Sequence, residues 1–98
     1  MEMKELERVA TLSVNDVHLT EKQYFIIHED NTFSRRKIYI KDDKVIAICF
    51  NGSSLAGDNS LYMDADFALN PRMSLLKEFL CMRCGVPQRY VKLFDAGR

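Results

Sequence analysis

A chain of 98 residues, 47% of them hydrophobic, has room for one domain built on one core. Fourteen basic side chains balance fourteen acidic ones, so any nucleic-acid or membrane function has to rest on a local patch rather than on a whole-molecule field. Three cysteines are too few for a disulfide scaffold and fit a reducing cytoplasm, and the charged opening Met1-Glu2-Met3-Lys4-Glu5 reads as neither secretory signal nor membrane span.

Met3, Leu6, Val9 and Ala10 stand close to helical spacing, which allows a short N-terminal helix. Thr20-Glu21-Lys22-Gln23 has the form of a capping box, but Tyr24-Phe25-Ile26-Ile27 has strong strand propensity and precedes the turn cluster Glu29-Asp30-Asn31-Thr32. A strand over 24–27 is the better reading, although periodicity alone leaves a helix open. Lys37-Ile38-Tyr39-Ile40-Lys41 and Lys44-Val45-Ile46-Ala47-Ile48-Cys49-Phe50 flank Asp42-Asp43 and predict a tight hairpin. The second run lacks polar alternation, the pattern of a central strand covered on both faces.

Residues 51–60 form a long loop rich in turn formers. Leu61, Met63, Ala65 and Phe67 then alternate with Tyr62, Asp64 and Asp66, which predicts a half-buried strand with an acidic outer face. Asn70-Pro71 opens a helix over about 71–84 whose stripe is Leu75, Leu76, Phe79 and Leu80, opposite Lys77 and Glu78. Gly85-Val86-Pro87 stops it, and Arg89-Tyr90-Val91-Lys92-Leu93-Phe94 reads as a last strand. The expected fold is α+β: one domain over 1–98, with a mainly antiparallel sheet of four to five strands against one main helix.

From Val45 onward the order strand, loop, strand, helix, Gly-Val-Pro, strand, with Leu93-Phe94-Asp95-Ala96-Gly97-Arg98 at the end, resembles part of a ubiquitin-like β-grasp domain. That family has a further strand beside the first, a place that residues 24–27 or 37–41 would have to fill here. It often serves protein contacts, and without a C-terminal Gly-Gly the resemblance implies no conjugation or sulfur-carrier chemistry.

Cys81-Met82-Arg83-Cys84-Gly85 is the motif with reactive potential. A redox Cys-x-x-Cys sits at a helix N-terminus, where the dipole favours thiolate, whereas this pair falls at the C-terminal end. A zinc site would have to draw its other ligands from Cys49, His18 and His28, which form no second close pair. The simpler reading of Cys81 and Cys84 is packing. Arg35, Arg36, Lys37, Lys41 and Lys44, near Phe33 and Tyr39, form a candidate nucleic-acid patch, with strand-edge guarding as the alternative. Asp58, Asn59, Asp64 and Asp66 match no calcium loop and read as a solvated face. No nucleophile elbow, phosphate loop, catalytic set or cofactor site is recognisable.

The expected function is therefore that of a small non-enzymatic, cytoplasmic module that binds another protein or a second copy of itself. Strand addition at a sheet edge and the loop residue Leu55 would make the contact. A nucleic-acid module on the basic patch is the alternative, and a zinc or thiol protein centred on Cys81 and Cys84 ranks third.

Overall fold

A computed structural model describes residues 4–52 and 59–95. Its N-terminal segment is a strand, which corrects the helix that the apolar spacing allowed. β1 (Lys4–Val14) pairs along its whole length with β2 (Val17–Ile27). Asn15 and Asp16 join them with φ of 51° and 64°, the left-handed pair that a type I′ turn requires. That turn chemistry and the alternation of Leu12 and Val14, both packed on the core, outweigh the helical spacing further upstream. The stretch 24–27 belongs to β2 and is extended.

The hairpin expected around Asp42-Asp43 is β3 (Phe33–Lys41) and β4 (Lys44–Asn51), with φ of 50° and 62° at the two aspartates. β5 (Asn59–Asp64) follows antiparallel to β4. Its alternation stops at Asp64, three residues short of the predicted end. Residues 65–68 turn instead into the short helix α1 (Ala65–Ala68), which buries Phe67 and Ala68. Asn70 Oδ1 accepts from the Arg72 backbone N–H at 3.0 Å and starts a 3-10 turn that runs into α2 (Ser74–Cys84). Gly85, at φ 74°, ends α2: its N–H and that of Val86 both return to the Cys81 carbonyl. The last strand is shorter than predicted, because residues 88–90 form a 3-10 turn and β6 spans Lys92–Phe94.

The sheet therefore has six strands rather than four or five, in the order β1-β2-β3-β4-β5-β6, antiparallel except for β6 beside β5. α2 crosses one face of it. The helix buries Leu76, Leu80, Cys81 and Cys84, with Phe79 partly covered, against Leu19, Tyr39, Ala47, Cys49, Leu61 and Met63. Leu75 is 57% exposed, so the buried stripe is rotated from the predicted one toward the two cysteines. A register shift between Tyr39 and Ile40 leaves Ile46 as the extra residue of β4 and turns it into the same core. Among the described residues no helix is long and apolar enough to cross a membrane.

Candidate functional site

Strand pairing fixes which side chains share a face, because directly opposed residues point the same way and neighbours along a strand alternate. Cys49, Leu61, Met63, Ala47 and Tyr39 face α2. The opposite parity gives Lys22, Tyr24 and Ile26 on β2, Arg36, Ile38 and Ile40 on β3, Ile48 and Phe50 on β4, Tyr62 on β5, and Lys92 and Phe94 on β6. These side chains are half-buried by one another, except for the exposed Arg36 and Lys92, and none belongs to the core cluster. Among the described residues no second layer packs over them.

β4 thus lies centrally, as its apolar run predicts, but the described residues cover only one of its faces. The uncovered face carries rings and cations in contact. Phe50 and Tyr62 meet edge to face at 5.6 Å and 85°. The Arg36 guanidinium lies 4.9 Å from the centre of the Phe50 ring, and the Lys92 ammonium 5.4 Å from that of Tyr62. Ile48, Phe50, Ser60, Tyr62 and Phe94 line a depression of about 410 Å³ among them. A second depression, of about 560 Å³, lies between Glu7, Arg8, Phe25, Ile27, Asn31 and Phe33 at the open end of the first three strands.

The five basic residues of the candidate nucleic-acid patch do not form one surface. Arg36 is on the open face, while Arg35 and Lys37 point to the side of α2. Lys37 Nζ donates to the Arg83 carbonyl at 2.9 Å, and Asn51 Nδ2 donates to that of Cys84 at 3.2 Å. Both satisfy carbonyls that a helix C-terminus leaves unpaired. Lys41 pairs with Asp42 at 2.9 Å and Lys44 with Asp64 at 3.3 Å. Asp64 is 2% exposed, which corrects its reading as part of a solvated acidic face. Tyr39 is fully buried and cannot stack a base, whereas Phe33 is exposed. Leu55 and Asp58 lie outside the described residues.

Cys84 bonds to Cys49 on β4 rather than pairing with Cys81, because its side chain points into the sheet directly over that strand. The bond leaves neither Cys49 nor Cys84 a thiolate to offer zinc. His28 Nε2 lies 2.9 Å from Ser34 Oγ, and His18 is exposed. Among the described residues no three His, Cys, Asp or Glu side chains come together in a metal-binding group. Cys81 stays a free thiol, and burial pushes its pKa up, away from reactivity.

Sequence reasoning missed the part-buried ion pair beneath the helix end. Arg83 donates from Nε and Nη2 to both Glu21 carboxylate oxygens, at 2.8 and 2.9 Å, and Glu21 is 3% exposed. Burial alone would raise the Glu21 carboxyl. The Arg83 hydrogen bonds, the nearby Tyr39 phenol and the charges of Arg83 and Lys37 more than offset it, so the net shift is downward. Burial and Glu21 together push the Tyr39 phenol well above its ordinary value, and its hydroxyl meets no hydrogen-bond partner of good geometry among the described residues. The signal available in the sequence was parity: Glu21 stands two residues after Leu19, so a strand that turns Leu19 inward turns Glu21 inward as well.

No known protein family, curated protein or solved structure matches this chain.

Proposed function

We propose that this chain is a protein-binding module, not an enzyme, and that its open sheet face is where the partner docks. One observation carries the reading: the apolar pattern of β4 is that of a strand covered on both sides, and the described residues cover one. A sheet face lined by isoleucines and aromatic rings is stable in water at a cost that burial against another surface recovers, at roughly 25 cal/mol per Å² of apolar area. Contiguous apolar patches left uncovered mark interaction sites, and here the side chains of the patch are half-buried only by one another.

The edge of the sheet offers a second mode. β1 is an eleven-residue edge strand, and its stretch 9–14, Val-Ala-Thr-Leu-Ser-Val, carries no charge to discourage pairing. Two copies joined antiparallel through β1 would be related by a two-fold axis normal to the sheet, which keeps both open faces on the same side. Such a dimer extends the uncovered apolar surface instead of covering it, so docking on the face stands first. The sequence over 45–94, which resembles a ubiquitin-like order of strands and helix, points the same way, since that family often serves protein contacts. We place the protein in the cytoplasm, where burial of both sulfurs would shield the Cys49–Cys84 bond from small thiols.

The test is a charge placed on the face. Protein isolated under native conditions from cells that produce it should elute in a complex larger than its own 11.4 kDa. Ile48→Asp should return it to monomer size with an unchanged circular dichroism spectrum. A complex that survives this substitution intact would show that the open face is not the docking surface.

A further inference from the structure

The depression bounded by Ile48, Phe50, Ser60, Tyr62 and Phe94 holds about 410 Å³, enough for one bulky side chain, and its walls are almost wholly apolar. Pockets of this type near the centre of an interface receive the aromatic or aliphatic anchors that carry most of the binding energy. The exposed charges beside it have one sign, since Asp64, which the register sets opposite Phe94, is buried and paired with Lys44. Arg36 and Lys92 lie over the Phe50 and Tyr62 rings that form its walls, and Lys22, opposite Ile38, continues the series across the sheet. Among the described strand side chains, the acid exposed on this face is Glu7, out on the edge strand opposite Tyr24.

We infer that the partner is an acidic protein segment that seats one large aromatic side chain in this depression and sets flanking carboxylates against Arg36 and Lys92. The inference rests on the open-face reading and names the chemistry of what docks there. A second copy of the chain, laid face to face over this depression, would bring its own Arg36 and Lys92 against the first pair, and like charges at an interface oppose association. Single-stranded nucleic acid would stack its bases on bare ring faces. Here Phe50 and Tyr62 each have a cation over the ring, and they pack against each other edge to face.

The full chain, labelled with ¹⁵N, is titrated with four probes at physiological salt. They are a short peptide with one Trp flanked by Glu and Asp, the same peptide with Ala for Trp, the same with Lys for the acids, and oligo-deoxythymidine. The acidic Trp peptide is expected to shift the amides of Ile48, Phe50, Tyr62 and Phe94. Either control peptide should bind roughly tenfold more weakly or less well still. Arg36→Glu with Lys92→Glu should reverse the preference for flanking charge without moving the melting temperature by more than a few degrees.

Equal binding of the acidic and basic peptides would overturn the inference, as would failure of every peptide to reach this face. Stronger shifts of the same amides by the oligonucleotide, or by self-association on raising the protein concentration, would overturn it in favour of those occupants. The open-face reading is judged separately by the Ile48→Asp complex, so the two can fail independently.

Discussion

Arg83→Ala is expected to destabilise the fold by about 3 kcal/mol at neutral pH, the lower end of what removing one partner of a buried ion pair costs. The lower end applies because the Arg83 side chain is 36% exposed, whereas the side chain of Glu21, the partner left behind, is 4% exposed and loses both of its hydrogen bonds at once. The sign of the pH dependence separates this mechanism from lost packing. In the parent the Glu21 carboxyl is held below its ordinary value, so its contribution is complete above that value and disappears as pH falls through the lowered one. Without Arg83, burial dominates and raises the carboxyl, so protonation relieves the variant. The gap between parent and variant should therefore narrow from pH 7 to pH 4 in urea titrations. Glu21→Gln combined with Arg83→Ala should lose less than Arg83→Ala alone, because no buried charge remains. A pH-independent gap would mean that Arg83 acts through its contact with Phe79 instead.

Cys84→Ala should cost about 3–4 kcal/mol, the chain-entropy value for a loop closed between residues 35 apart. The bond ties the last turn of α2 to the centre of β4, and both sulfurs are buried, so the substitution also removes packing from the core. Cys81→Ala, at a free thiol three residues earlier, leaves that tie intact and should cost about 1 kcal/mol, the size of a small core truncation. Intact mass provides the check: the parent should weigh two hydrogens less than its reduced form, and only Cys81 should alkylate after unfolding without reductant. If Cys49 and Cys84 alkylate as freely as Cys81, the tie is absent and the larger loss should not be seen.

The parts of the fold legible in the sequence are those governed by local chemistry. Asp42-Asp43 between two β-rich runs marks a hairpin, Asn70-Pro71 a helix start, and Gly85-Val86-Pro87 its end, and the structure has each of them there. The misreadings occur where tertiary pairing overrules spacing. Met3, Leu6, Val9 and Ala10 fit a short helix over 1–10 until Asn15-Asp16 is read as a type I′ turn, and only a strand can lead into such a turn and pair back along its partner. Residues 65–68 continue an alternation, yet Phe67 reaches the core from a helical turn. The candidate site was half legible. The apolar run in β4 announced two buried faces, but which partner covers the second was never in that run, since burial within a chain and burial against another molecule leave the same pattern. The basic residues misled because the sequence gives their order and hides their parity: Arg35 and Arg36 are neighbours in the chain and point to opposite sides of the sheet.

The proposed function requires that the sheet face turned away from α2 be the one that meets a partner. A photoreactive amino acid introduced singly at Ile38, at Tyr62 and at Glu78 on the outer side of α2, followed by irradiation in cells that naturally produce the protein, tests it position by position. Adducts to a common protein are expected from the first two sites and none from Glu78. Adducts from Glu78 with none from Ile38 or Tyr62 would contradict it.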